Sequence, residues 1–202
     1  GITQSHILSR GSLEAPFILI SILFNELILG LYSLSYRVLA LPVSLIASSL
    51  EQVLYKEVAE RLEKGKNVIR IILKNWMYLF LLALIPALII YFAGEEVFQR
   101  VFGPEWAESG KIAKILTPLI VLNLINASTG RLLFLVDQVR IPLIFSAINF
   151  VFILLSFGVG YWYISFYTAI TMMVILRSLS IILFNLMMLH HFHKHQKRMY
   201  ED

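Results

Sequence analysis

Arg10, Glu14, Arg37, Arg131 and Arg177 stand inside stretches of otherwise apolar sequence. On insertion scales an ionised side chain costs about 2.5–3.5 kcal/mol at the centre of a membrane helix, so such residues face protein or water and tend to mark substrate or ion routes. A guanidinium there can hold a phosphate through two parallel N–H···O bonds. A carboxylate there can carry a proton or pair with a cation. Bond-making chemistry has no comparable signature: the chain contains no glycine-rich phosphate loop, no HExxH and no nucleophile elbow. With no cysteine, thiol catalysis, thiolate metal sites and disulfides are excluded, and the redox compartment is unreadable.

Each residue has a functional and a plainer reading. Ser33, Arg37, Ser44, Ser48, Glu51 and Tyr55 follow one another at intervals of 4, 7, 4, 3 and 4, which stacks them into one polar stripe along a helix and points to a wet cavity. Within it Arg37 either contacts an anion or reaches the outer headgroups or Glu14. Arg10 and Glu14, four apart, either neutralise each other or leave Glu14 to couple transport to H+ or Na+. Arg177, near the middle of its span and without a carboxylate in its own helix, needs a partner elsewhere or a substrate. Arg131 is close enough to a helix end to snorkel or to pair with Asp137. His190, His191, His193 and His195 could bind a metal, but they read rather as part of a basic tail on anionic lipid, and no metal site is expected.

The elements that must carry these residues are membrane helices. Of 202 residues, 58% are hydrophobic and 15% are charged, against about 45–50% and about 25% in a soluble domain. The apolar residues gather into runs near the ~20 residues that cross a hydrocarbon core of ~30 Å. Spans are expected at 5–23, 31–53, 72–93, 112–136, 141–161 and 166–189, the first being a cavity-facing helix because Ser9, Arg10, Ser12 and Glu14 interrupt it. Residues 51–71 read as an amphipathic segment on the membrane surface, 95–108 as a short interfacial helix at the outer side, and 190–202 as a tail. Pro42, Pro86 and Pro118 fall inside spans and are expected to kink them.

The formal charge of +4 does not read as nucleic-acid binding, because its basic residues flank hydrophobic runs. Ten Lys and Arg lie in 51–75, 137–142 and the tail, whereas the alternate loops hold Arg100 and Lys111 alone. Positive-inside topology then puts both ends of the chain in the cytoplasm. The chain begins Gly1-Ile2-Thr3 and reads as a fragment of a longer polypeptide.

Two blocks carry a family resemblance. Gly30-Leu31-Tyr32-Ser33-Leu34-Ser35-Tyr36-Arg37-Val38-Leu39-Ala40-Leu41-Pro42, followed by Glu51-Gln52-Val53-Leu54-Tyr55-Lys56-Glu57-Val58-Ala59, resembles the eighth helix and cytoplasmic extension of bacterial polysaccharide (O-antigen) flippases. Val101-Phe102-Gly103-Pro104-Glu105-Trp106-Ala107-Glu108-Ser109-Gly110 and Ile115-Leu116-Thr117-Pro118 resemble the outer loop and tenth helix of the same family. The rest of the chain matches in span number and spacing.

The resemblance implies an all-α six-helix bundle forming the C-terminal lobe of a two-lobe exporter of the multidrug, oligosaccharidyl-lipid and polysaccharide superfamily. It implies a bacterial cytoplasmic membrane protein of cell-envelope and lipopolysaccharide biosynthesis that is not an enzyme. Its partners would be a lipid-linked oligosaccharide, membrane lipids and the N-terminal lobe of the same polypeptide, and it needs no cofactor. Arg37 occupies the position at which the related peptidoglycan-precursor flippase has a cavity arginine, which makes it the leading substrate residue, with Arg177, Ser33, Ser44 and Ser48 as further cavity candidates. Three other readings stay open: a multidrug or cation antiporter lobe, which would want cavity carboxylates; a glycan polymerase or ligase, which would want a longer outer loop with catalytic groups; and a structural membrane subunit.

Overall fold

The computed structural model describes residues 2–136, 138 and 140–201, with side chains described for 11, 13–136, 138, 140–194 and 196. Asp137 and the side chains of Arg10 and His195, all singled out above, lie outside the described residues. Among the described residues the chain folds into six α-helices and no strand: α1 Ile2–Leu23, α2 Glu26–Glu63, α3 Ile69–Phe102, α4 Ala107–Thr129, α5 Arg140–Trp162 and α6 Phe166–Glu201. This is an all-α membrane bundle. Five stretches, within α2 to α6, are long and apolar enough to cross a bilayer, while the apolar part of α1, Leu13–Leu23, is shorter.

Local chemistry sets where the helices begin and stop. Asn25, in extended conformation, accepts a hydrogen bond from the Ile28 amide at 2.8 Å and so caps α2, with Glu26 in the positive first turn. At the other end Gly65 adopts φ +62°, which lets the Gly65 amide reach the Leu62 carbonyl and the Lys66 amide the Arg61 carbonyl, a Schellman closure. Asn67 then caps α3 by accepting from the Ile69 amide at 2.9 Å.

With 38 residues α2 extends ~57 Å at ~1.5 Å per residue, well beyond a ~30 Å hydrocarbon core. The 51–71 segment is therefore the continuation of α2 and the turn into α3. Its Leu54, Val58 and Leu62 are turned to protein rather than to a membrane surface: they pack with Ile72 of α3, Leu133 after α4, and Met188 and Phe192 of α6. Gln196 ties the end of α6 to this cluster by donating to the Lys66 carbonyl at 2.8 Å. The Lys- and Arg-rich segments thus converge on one end of the bundle.

At the opposite end the expected 95–108 helix is divided. Glu95–Phe102 continues α3 past a break in helical dihedrals at Ala93; Gly103, at φ +115°, then turns the chain through one 3-10 turn, Pro104–Trp106, into α4. Here α3 and α4 meet backbone to backbone at Gly94 and Gly110, where a Cβ on Gly110 would overlap the Gly94 carbonyl. Small residues permit such close approach where lipid supplies no hydrophobic drive to associate.

α4 is the most enclosed helix, with Ile112, Leu116, Leu119, Ile120 and Leu124 all buried. It packs on α2, α3 and α6, whereas α1 lies chiefly along α5 and only secondarily along α2. Helical dihedrals persist through Pro42, Pro86 and Pro118; the departure within α3 comes at Ala93, beyond Pro86.

Candidate functional site

The chemistry concentrates around α2, which presents two unlike faces. On the inner face Tyr32 and Tyr36, one turn apart, stack with ring centroids 6.1 Å apart, and Phe17 of α1 sets its edge against both at 5.2 and 5.5 Å. Phe166, at the start of α6, closes on Tyr32 at 6.4 Å. The four rings hold α1, α2 and α6 in fixed relation. About three turns along α6 from Phe166, Arg177 is near enough to interact electrostatically with both tyrosines.

Arg177 is only 8% exposed, and its buried Nε finds no hydrogen-bond acceptor among the described residues. No described carboxylate lies within ion-pairing distance of it; Glu14, exposed on α1, acts on Tyr36 instead. A cation taken out of water without an anionic partner costs several kcal/mol. Two neutral phenols supply dipoles but no counter-charge, so the bundle interior remains electropositive beside Tyr36. That is the condition under which an anion, or a carboxylate brought near, gains most from approaching.

The second face lies about 100° further round α2. Arg37 is exposed there and makes no hydrogen bond or ion pair with a described residue. Ser33 is half-buried; Ser44 and Ser48 are exposed, and their hydroxyls donate to their own helix, to the Leu41 carbonyl at 2.8 Å and the Leu45 carbonyl at 3.1 Å. Each serine is left with lone pairs to accept with, and Arg37 with its donors. Leu41 and Leu45 are exposed beside them, so the bundle leaves this side of α2 uncovered. The stripe ends at Glu51, ion-paired with Arg131 (Oε1–Nε 3.0 Å), and at Tyr55, packed into the cluster at the basic end.

A family model described as polysaccharide biosynthesis protein matches residues 2–111, just over half the chain. The chain belongs to the polysaccharide biosynthesis protein family. The matched stretch contains α1, α2, α3 and the first residues of α4, and with them Glu14, both tyrosines, Arg37 and the serines; Arg177 lies beyond it. No curated protein and no solved structure matches the chain.

For this family member the structure places the two leading arginines differently: Arg37 exposed on the surface of the bundle, Arg177 buried within it. Arg131 forms an ion pair with Glu51 of the stripe, a partner that sequence spacing did not suggest. His191 Nδ1 lies 2.9 Å from the Met187 carbonyl, and no group of three or more His, Asp or Glu placed to hold a metal occurs among the described residues. Sequence reasoning missed Tyr32 and Tyr36, although a Tyr-x-x-x-Tyr pair in a membrane helix next to an arginine was signal enough to ask what both faced. It also missed Ser35 and Ser109. Ser35 Oγ donates to the Ser109 carbonyl at 2.7 Å and Ser109 Oγ to the Leu31 carbonyl at 3.0 Å, which locks α2 to α4 behind the tyrosines.

Proposed function

We propose that this chain is the C-terminal lobe of a flippase that moves an undecaprenyl-diphosphate-linked oligosaccharide across the bacterial cytoplasmic membrane by alternating access, making and breaking no covalent bond. The observation that carries this reading is the uncovered polar side of α2, where Arg37 stands unpaired above Ser44 and Ser48, in a member of a polysaccharide biosynthesis family. A second lobe packed opposite would enclose that side as a cavity. The diphosphate would meet Arg37, the sugars the serine acceptors, and the polyprenyl chain would stay in lipid between the lobes.

Arg177 has a different part in this scheme. Buried and coupled electrostatically to Tyr36, it biases the cavity wall toward anions without needing to touch the cargo, and Glu14, which also acts on Tyr36, offers a carboxylate through which proton or sodium binding could be felt. In this reading the end of the bundle that gathers Lys and Arg, and with it both ends of this chain, faces the cytoplasm, which the positive-inside rule supports.

The test is Arg37→Ala in the full-length polypeptide, with export of surface polysaccharide and the protein's abundance in the membrane measured together. Export should fall at least tenfold at unchanged abundance, since an exposed, unpaired side chain contributes little to folding. Full export from an equally abundant variant would overturn the assignment of Arg37 and remove the main support for an anionic cargo.

A further inference from the structure

A second site lies at the basic end, on the side of the bundle where α2 and α3 separate. There the last turns of α2 and the first turns of α3 border a groove of about 1000 Å³. Its lining is graded. Toward the tip stand Arg61, Asn67, Arg70 and Lys74; deeper along both helices stand Leu50, Val53, Leu73 and Tyr78. Glu57 accepts from Arg61 at 2.9 Å and neutralises it, but Arg70 and Lys74, four apart on α3, are exposed and form no ion pair with a described residue. Val53 and Tyr78 are 63% and 58% exposed, so no part of the described bundle fills the apolar end.

We infer that this groove binds a single anionic glycerophospholipid of the surrounding bilayer, its phosphate between Arg70, Lys74 and Asn67 and one acyl chain along Val53, Leu73 and Tyr78. The charge is complementary, and the polarity runs in the sense an amphiphile requires. The volume suits a headgroup with part of a chain. The site is on the other side of α2's basic end from the residues assigned to cargo, and its occupant would brace the otherwise weak α2–α3 junction. It does not rest on the transport reading, whose failure would leave it standing.

The experiment uses the purified protein in neutral detergent, titrated with dioleoylphosphatidylglycerol or dioleoylphosphatidylcholine and read by native mass spectrometry. At roughly 1 kcal/mol per basic residue near an anionic surface, two unpaired cations should favour the phosphatidylglycerol by about tenfold or more. The R70Q/K74Q variant should bind the two lipids within about twofold of each other, while R100Q, at the opposite end, should keep the preference. Val53→Trp, which fills the apolar end and leaves both cations, should weaken phosphatidylglycerol binding at least fivefold. Inorganic phosphate at 10 mM, on the order of a hundred times the lipid, should not displace it if the chain contributes to binding. Equal binding of the two lipids to the unmodified protein, an intact preference in R70Q/K74Q, indifference to Val53→Trp, or displacement by phosphate alone would each overturn the proposal.

Discussion

Replacing Arg177 with methionine should leave the bundle as stable as before or more so. Methionine keeps an unbranched side chain that can follow the same path between α2 and α6. The substitution relieves a charge worth about 2.5–3.5 kcal/mol on membrane insertion scales. Against this stands the loss of the guanidinium's electrostatic interaction with the two tyrosines, at most the ~1.5–3 kcal/mol of a charge-assisted hydrogen bond. With Nε lacking an acceptor and no described carboxylate in range, the first quantity wins or the two cancel. The expected change lies between a loss of about 0.5 and a gain of about 2 kcal/mol of stability. Reversible unfolding in mixed micelles measures it, and a double-mutant cycle with Tyr32→Phe separates the contributions. Tyr32→Phe alone should cost about 1–2 kcal/mol, because it leaves the guanidinium still less well partnered, and almost nothing once Arg177 is methionine. A loss of more than about 2 kcal/mol in Arg177→Met, or additivity of the two substitutions within about 0.3 kcal/mol, would refute the reasoning and make Arg177 a structural tie. Under the proposed function the same variant should lose export despite its stability, the usual signature of a residue held at a cost for activity.

Three further outcomes follow from the packing. Gly110→Val should destabilise by about 3 kcal/mol, the upper end for overpacking, because backbone rather than a movable side chain stands against it, and thermal unfolding in detergent should show it. Gly65→Val should cost about 1–2 kcal/mol by forcing a β-branched residue to φ +62°, with Gly65→Asn distinctly milder in the same assay. Ser35→Ala breaks the link from α2 to Ser109 on α4 and should cost about 0.6–1.7 kcal/mol, the range of interhelical hydrogen bonds in membrane bundles, read in micellar unfolding.

The fold was readable in the sequence where its cause is local. A run of about twenty apolar residues demands a helix in lipid whatever surrounds it, because unpaired backbone groups cannot be tolerated there. Hence the five long spans, and hence also the difficulty with α1, whose apolar part is short and whose place along α5 was invisible. The site was half readable. Helical periodicity put Ser33, Arg37, Ser44 and Ser48 on one line, and the structure leaves most of that line uncovered. The same periodicity ran the line on through Glu51 and Tyr55, which the fold closes with Arg131 and with the core at the basic end.

By itself, then, the sequence determined the solvent, the class of fold, the end of the bundle that carries the positive charge, and which isolated ions were too costly to be accidental. Only the tertiary structure decided what each face meets. Lipid tails and a protein interior are equally apolar, so hydropathy cannot tell the buried side of a membrane helix from its lipid side. That is why residues 51–71 read as an amphipathic segment on the membrane surface while their Leu54, Val58 and Leu62 proved to be core, and why Gly94 and Gly110 carried no signal until α3 and α4 were seen to touch. The arginines differ for the same reason. Arg37 and Arg177 look alike as charges in apolar runs, but one is buried and coupled to two tyrosines from a distant part of the chain, while the other remains open to whatever packs against α2.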